Sequence, residues 1–133
     1  MAAALNGVWK IKTSENFDEY MKALGVNFAL RKLGNLAKPV LTIKIEGNEV
    51  FLKSVSTARN IETKCTIGVE WDEATPDGRK CKSIMTWDGS KLVQVQKWDG
   101  KQTTVTRYLK DGNLEMDLEI DDIKAHRVYE KSE

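Results

Sequence analysis

Two arginines and a tyrosine near the end of the chain fall on strand faces that are otherwise apolar. In IKAHRVYEK (123–131), the twofold alternation of a β-strand puts Arg127 and Tyr129 on the same side as the aliphatic residues. In TTVTRYL (103–109), Arg107 likewise shares a side with a valine and a leucine. A buried guanidinium is costly unless an anion meets it. These residues therefore predict a site for a carboxylate that enters from outside, with the tyrosine hydroxyl as a further donor.

Two other arrangements would also satisfy the arginines. They could lie at the rim of the fold in contact with water, or form an internal network with water and Glu73, the main acidic residue expected on an inward face. Each alternative explains a single arginine as well as a ligand does. The presence of both arginines on apolar faces, with Tyr129 close to Arg127 in sequence, favours ligand binding.

The elements that must position these residues are short antiparallel strands. Asp-Gly pairs recur at 77–78, 88–89, 99–100 and 111–112, and this dipeptide favours the tight turns of β-hairpins. Together with alternating segments such as VLTIKIEG (40–47), the spacing predicts about ten strands. Strands in such a series avoid exposed edges by closing on themselves, so we predict an all-β fold, a ten-stranded antiparallel up-and-down β-barrel. A barrel of this width is expected to enclose a cavity.

The register of one strand stays ambiguous in the sequence. In LVQVQKW (92–98), one register puts Gln94 and Gln96 inside the barrel, and the other puts Val93 and Val95 there. The first would add two amides to the polar groups of the interior, and the second would leave this strand's inner face aliphatic.

Two helices interrupt the strand pattern near the N-terminus. NFDEYMKALG (16–25) carries its apolar residues on one helical stripe, with Asn16 as the predicted N-cap and Gly25 as the predicted end. NFALRKLGNLAKP (27–39) predicts a second short helix that stops before the proline. We expect the pair to form a helical lid at about residues 16–37 over the mouth of the barrel.

The composition argues against several classes of protein. Lys+Arg 21 against Asp+Glu 20 leaves a net charge of +1, so no overall field attracts nucleic acid. No apolar run approaches the length of a membrane span, and the start of the chain lacks the layout of a signal peptide. Cys65 and Cys81 are too few for a disulfide framework. We expect a cytoplasmic protein, one domain over 1–133, and a monomer.

Catalysis has little support in the sequence. There is no nucleophile–base spacing, no phosphate-binding loop and no cluster of zinc ligands, so we expect no catalytic residue, metal or cofactor. His126 falls on the outward face of its strand, which is typical of a surface residue. Cys65 lies on an apolar strand face, where packing is the expected role of a thiol.

Several segments resemble the cytosolic fatty-acid-binding protein family, in particular its heart, adipocyte, epidermal and peripheral-nerve-myelin branch. The resemblance rests on NGVWKIKTSENFDEYMKALGV (6–26), RKLGNLAKP (31–39), DGRK (77–80), VQKWDGKQTTVTR (95–107) and RVYEK (127–131). These segments need no large gap and run nearly from end to end of the chain.

The resemblance implies a β-clam, which is a ten-stranded barrel under a helix–turn–helix lid, holding one long-chain fatty acid. It implies that Arg107, Arg127 and Tyr129 bind the ligand carboxylate. Fourteen positions match residues that line the family's cavity or its entrance: Phe17, Tyr20, Met21, Val26, Leu30, Pro39, Ser54, Ser56, Ala58, Pro76, Asp77, Gln96, Met116 and Leu118. At Ala58 this branch usually has a phenylalanine.

The resemblance also implies partners. Members of the family carry fatty acids through the cytosol and deliver them to membranes and nuclear receptors, and a lipase partner is a further expectation. Lys22, Arg31 and Lys32 match a basic cluster that serves some members as a nuclear-import signal, so a nuclear location is expected beside the cytoplasmic one. With Lys38, this cluster would also suit anionic membrane headgroups, as in the myelin member. The retinoic-acid-binding branch shares the same two arginines and tyrosine, which makes retinoic acid the alternative ligand.

Overall fold

A computed structural model describes residues 2–57 and 59–132. A 3-10 helix at Ala2–Leu5 precedes two α-helices and ten strands. In chain order these are β1 (Gly7–Glu15), α1 (Phe17–Leu24), α2 (Phe28–Leu36), β2 (Val40–Glu46), β3 (Glu49–Val55), β4 (Asn60–Thr66), β5 (Trp71–Ala74), β6 (Lys80–Asp88), β7 (Lys91–Trp98), β8 (Lys101–Lys110), β9 (Asn113–Ile120) and β10 (Ile123–Lys131).

The ten strands form one antiparallel sheet in the order β4-β3-β2-β1-β10-β9-β8-β7-β6-β5. The last strand therefore returns to pair with the first, which confirms the predicted up-and-down barrel. The barrel is nearly closed: β4 and β5 are the two ends of the sheet, and no ladder joins them in the described chain. Backbone donors of the connection between them go elsewhere: Ile67 N–H donates to Asn48 O and Gly68 N–H to Met85 O.

The alternation of side chains builds the inner face of the sheet. Ile43, Met85, Leu92 and Leu114 are completely buried and belong to one apolar cluster. The ambiguous strand β7 takes the register that turns its glutamines inward, since Gln94 and Gln96 are buried while Val93 and Val95 are only partly so. The inner face of β7 is therefore partly polar.

Helix α1 packs against β9 and β10 through Tyr20, Met21 and Leu24. It ends at Gly25, which adopts the left-handed φ of 92° that favours glycine. Asn16 occupies the predicted N-cap position, and its backbone oxygen accepts from Tyr20 N–H at 3.2 Å, but its side chain does not cap the helix. Asn16 has a positive φ of 59°, and its side-chain amide donates to Lys124 O of β10 at 2.8 Å instead of bonding the helix.

Helix α2 follows Asn27, whose side chain accepts a hydrogen bond from Leu30 N–H at 3.0 Å and so caps the helix. None of its residues is buried, and Phe28 and Leu36 are 71% and 69% exposed. The α2 face formed by Phe28, Leu33 and Leu36 is thus an apolar surface open to solvent. Among the helices of residues 2–57 and 59–132, none has the length and apolarity needed to span a membrane.

Candidate ligand-binding site

Arg107 and Arg127 lie on the two strands that flank β9. Arg107 of β8 is directly opposite Met116 of β9, and Arg127 of β10 is opposite the same methionine. Directly paired residues of antiparallel strands share a face, so all three side chains point inward. The arginine Cα atoms are two strand spacings apart, or roughly 10 Å.

Arg127 is buried against the helix pair. It is 8% exposed, and its guanidinium carbon lies 4.1 Å from the centre of the Phe17 ring of α1 and 6.0 Å from that of Tyr129. These cation–π contacts offset part of the cost of desolvating the charge. Its Nε is buried and has no hydrogen-bond partner among the described residues. Arg127 therefore presents a donor that the protein leaves unsatisfied.

Arg107 has one protein partner. Its Nη1 donates to Gln94 Oε1 at 3.0 Å, while its Nε is buried without a described acceptor. Burial lowers the pKa of Arg107, and Tyr129 and Glu73 oppose that change. Since an arginine keeps its proton in proteins, the result is a charged group that is incompletely solvated.

Glu73 of β5 is the inward carboxylate that is connected to Arg107, through the side chain of Gln94. One of its carboxylate oxygens accepts from the Ser83 hydroxyl at 2.7 Å, from the Gln96 amide at 2.9 Å and from the Gln94 amide at 3.2 Å. Glu73 thus reaches Arg107 through Gln94. Of the two alternatives that the sequence left open, an internal network with Glu73 applies to Arg107 in part. A position at the rim in contact with water does not apply to Arg127, which is buried.

Neither arginine of the site forms an ion pair with a carboxylate of residues 2–57 or 59–132. Arg107 and Arg127 are therefore two inward cations, each with a buried Nε donor that the described residues leave free. An anionic group with two acceptor oxygens suits this arrangement, because charge-assisted bonds would satisfy both donors.

A second polar cluster lies at the β5–β6 turn, where Arg79, which the sequence did not indicate as a site residue, joins Asp77 and Gln96. Arg79 donates to both oxygens of Asp77, at 2.6 and 3.1 Å, and to Gln96 Oε1 at 3.2 Å. Although burial opposes it, the bonds from Arg79 and Thr75 lower the pKa of Asp77. Arg79 follows a glycine turn rather than an alternating strand, so periodicity gave no sign of its inward position.

The fourteen positions implied by the resemblance fall into three groups. The buried ones are Tyr20, Met21, Val26, Pro39, Gln96, Met116 and Leu118. Those partly exposed are Phe17, Leu30, Ser54, Ser56 and Asp77. Pro76 is exposed, and Ala58 lies outside the described residues. Tyr20 also reaches across to β8, where its hydroxyl lies 2.7 Å from Thr103 Oγ1 and ties α1 to the barrel.

Two turns meet beside the open edge between β4 and β5. Arg59, after the β3–β4 turn, donates to Pro76 O in the β5–β6 turn. Within the first turn, Ser56 Oγ accepts from Arg59 N–H at 3.2 Å, so this hydroxyl is used locally. The two turns are thereby linked across the gap in the sheet.

The basic residues of the helix pair differ in their surroundings. Lys22 and Lys32 are exposed. Arg31 is partly buried, because it donates to Val26 O at 2.9 Å and to Asp18 at 3.3 Å and so joins α2 to the end and the start of α1. Arg31 therefore acts as a tie within the helix pair.

Three residues with reactive side chains, Cys65, Cys81 and His126, have defined surroundings in the structure. Burial raises the pKa of the Cys65 thiol to about 11 and raises that of Cys81 as well, so both are held as neutral thiols. His126 is on the outer face of β10 as predicted, with its ring nitrogens 2.6 Å from Asp117 and 2.8 Å from Glu115.

Comparison with known proteins gives a consistent match over the whole chain. The chain is 47% identical to the adipocyte fatty acid-binding protein of Pygoscelis papua, covering 95% of this chain and 96% of the relative. It is 43% identical to human fatty acid-binding protein 5, covering 97% and 96%. A fatty acid binding protein of Schistosoma mansoni, solved in complex with arachidonic acid, superposes with a TM-score of 0.94 at 32% identity, covering 99% of this chain and 98% of that one. Residues 6–132 match the sequence profile of the Lipocalin / cytosolic fatty-acid binding protein family. The chain therefore belongs to this family.

Proposed function

We propose that the protein is a non-catalytic carrier that binds one long-chain fatty acid inside the barrel. Arg107, Arg127 and Tyr129 hold the ligand carboxylate, and the aliphatic inner faces of the strands surround its tail. The observation that carries the proposal is the pair of buried arginine Nε atoms, on the inner faces of the two strands that flank β9, that no described group satisfies. Relatives named for fatty-acid binding support the choice of ligand.

The tail supplies most of the expected affinity. At about 0.8 kcal/mol per buried methylene, a chain of about fifteen methylenes offers roughly 12 kcal/mol before ordering costs. That gross figure is near the free energy of a nanomolar complex. The arginines then set the orientation of the ligand and favour acids over neutral lipids.

The test is the replacement Arg127→Leu, studied by calorimetry with hexadecanoate and with hexadecanol. We expect the variant to lose at least about tenfold in affinity for the acid, since a charge-assisted bond contributes roughly 1.5–3 kcal/mol, and to change little for the alcohol. Lys124→Leu is the matched control, because Lys124 is a cation of the same strand whose side chain is 75% exposed. Equal losses for acid and alcohol would refute the carboxylate site.

Delivery to membranes is the second part of the proposal. Helix α2 exposes Phe28, Leu33 and Leu36, and the helix pair also carries the exposed cations Lys22 and Lys32. An apolar surface with lysines on the same helix pair suits contact with anionic lipid, where each cation contributes about 1 kcal/mol. This supports a carrier that works in the cytoplasm and unloads at membranes. Co-sedimentation with anionic vesicles should fall in high salt and in the variant Phe28→Ser/Leu36→Ser, and vesicle binding that ignores both changes would refute it.

A further inference from the structure

A chain of hydrogen bonds crosses the interior from Arg107 to Arg79. Gln94 accepts from Arg107 at 3.0 Å and donates to Glu73 at 3.2 Å. Gln96 accepts from Arg79 at 3.2 Å and donates to the same oxygen of Glu73 at 2.9 Å. One carboxylate is therefore joined to two guanidinium groups, each time through one amide.

The direction of both amides follows from their neighbours. A carboxylate oxygen accepts from these amides, and a guanidinium only donates. Each glutamine must therefore turn its NH₂ group toward Glu73 and its oxygen toward an arginine. Hydrogen bonds aligned in this way polarise one another, so the charge of Glu73 acts on Arg107 through Gln94.

The charged side chains around the site carry a net charge of about +1. The chain of bonds contains Arg107 and Arg79 as cations, and Glu73 and Asp77 as anions. These four charges cancel. Arg127, which makes no ion pair with a described carboxylate, adds one positive charge. One ligand with a single negative charge would therefore neutralise these five side chains.

We propose that Glu73 determines headgroup specificity. Because Glu73 compensates the charge of Arg107 through Gln94, only one positive charge remains to be neutralised by the ligand. The site therefore accepts a carboxylate and discriminates against a dianionic headgroup such as an alkyl phosphate. This inference rests on the proposed function, because it concerns the same anion site. Glu73 is a positioning residue in this scheme, since it acts on the ligand through Gln94 and Arg107.

Two single substitutions on β5 separate this role from a change in overall charge. Glu73→Gln is isosteric and keeps the oxygen that accepts from Ser83, Gln94 and Gln96. Asp72→Asn is the matched control, because Asp72 is the adjacent residue, its side chain is 79% exposed, and it pairs with Lys82 on the outer face. Both variants remove one carboxylate from the same strand, one inside the barrel and one outside.

The measurement is the ratio of the affinities for hexadecanoate and hexadecyl phosphate at pH 8, where the phosphate is a dianion. We expect the protein to prefer hexadecanoate, and Glu73→Gln to reduce that preference about tenfold. That size corresponds to one extra ligand charge about 10 Å from Glu73 at an effective dielectric near 20. The ratio in Asp72→Asn should be unchanged. An unchanged ratio in Glu73→Gln, or an equal change in both variants, would overturn the role of Glu73.

A second experiment uses the unmodified protein and varies the pH. Between pH 8 and pH 5.5 an alkyl phosphate passes from dianion to monoanion, since its second pKa lies near 6. The preference of the unmodified protein for hexadecanoate should therefore fall over this range, and a constant preference would overturn the inference. If the protein bound hexadecanoate but failed these tests, the role of Glu73 alone would be refuted. If it bound no hexadecanoate, the proposed function would be refuted as well.

Discussion

The guanidinium of Arg127 lies 4.1 Å from the centre of the Phe17 ring. Arg127 belongs to the inner face of β10, and Phe17 begins α1, so the contact joins the barrel to the helix pair. The residue proposed to bind the carboxylate is thereby held by the same helix that covers it. Changes in the packing of α1 are expected to alter ligand exchange for this reason.

Replacing Phe17 with leucine keeps an apolar side chain but removes the ring above Arg127. A cation–π contact contributes about 0.5–2 kcal/mol, depending on burial. We expect bound hexadecanoate to dissociate about two- to thirtyfold faster, as measured by stopped-flow transfer to a soluble acceptor such as albumin, which needs no membrane contact. Phe28→Leu is the control, because Phe28 is 71% exposed on α2. Equal acceleration in both variants would show that the ring over Arg127 is not the cause.

Tyr20→Phe removes the hydroxyl that lies 2.7 Å from Thr103 Oγ1. Thr103 keeps its own bond to Glu119 O at 2.7 Å, so the loss is that of one buried hydrogen bond, about 1 kcal/mol. The Tm should fall by about 3–5 °C. Hydrogen exchange should quicken more at the amides of α1 than in β2 and β3, where the change should not exceed the loss of global stability. Uniform quickening over the whole chain would mean that the bond does not specifically anchor the helix.

The two arginines of the site should differ in their effect on the stability of the ligand-free protein. Arg107→Met leaves Gln94 Oε1 without its donor and should lower the free energy of unfolding by about 1–3 kcal/mol. Arg127→Met removes a buried charge without depriving a described acceptor, and we expect no loss or a gain. Urea unfolding of delipidated protein measures both. If Arg127→Met were less stable than Arg107→Met, the result would contradict the assignment of Gln94 as the partner of Arg107 and of no described acceptor to Arg127.

The cluster around His126 predicts a pH dependence of stability. The hydrogen bond to Asp117, aided by Glu115 and opposed by partial burial, raises the pKa of His126 above its ordinary value of 6.5. A raised folded-state pKa stabilises the fold fully below pH 6.5, and this stabilisation is lost as the pH rises through the folded-state value. Burial raises the pKa of the neighbouring Tyr108 to about 12, so the tyrosine does not titrate in this range.

Comparison of the protein with His126→Gln tests this dependence. The stability advantage of the histidine should be present at pH 6 and shrink toward pH 9. Because the His126 side chain is 33% exposed, the advantage should be at most about 1 kcal/mol and should weaken in high salt. A stability advantage of the histidine that grows with pH would contradict a raised pKa of His126 in the folded state.

Strand alternation was sufficient to predict the barrel and the inward direction of Arg107 and Arg127. In those strands the apolar side is unambiguous, and a one-residue shift would expose it. It was not sufficient for Gln94, because valine and glutamine alternate in β7 and either side could face inward. Only pairing with β6 and β8 decides that register.

Other features depended on competition between partners that are distant in sequence. Asn16 is a good capping residue, but the backbone carbonyl of Lys124 takes its amide. β4 and β5 are the ends of the sheet, and in the connection between them Gly68 N–H bonds Met85 O of β6. Glu73 was expected on an inward face, yet its connection to Arg107 through Gln94 required the register of three strands. None of these contacts leaves a pattern within one segment.

The carboxylate site is tested most directly by NMR of hexadecanoate labelled with ¹³C at its carboxyl carbon. If Arg107 and Arg127 bind the headgroup, the carboxyl resonance of the bound acid should keep its ionised chemical shift between pH 8 and pH 4, because two buried cations hold its pKa below that of a free fatty acid. In Arg127→Leu the resonance should titrate within that range. A resonance that titrates identically in both proteins, at the pH of an exposed carboxylic acid, would contradict the account.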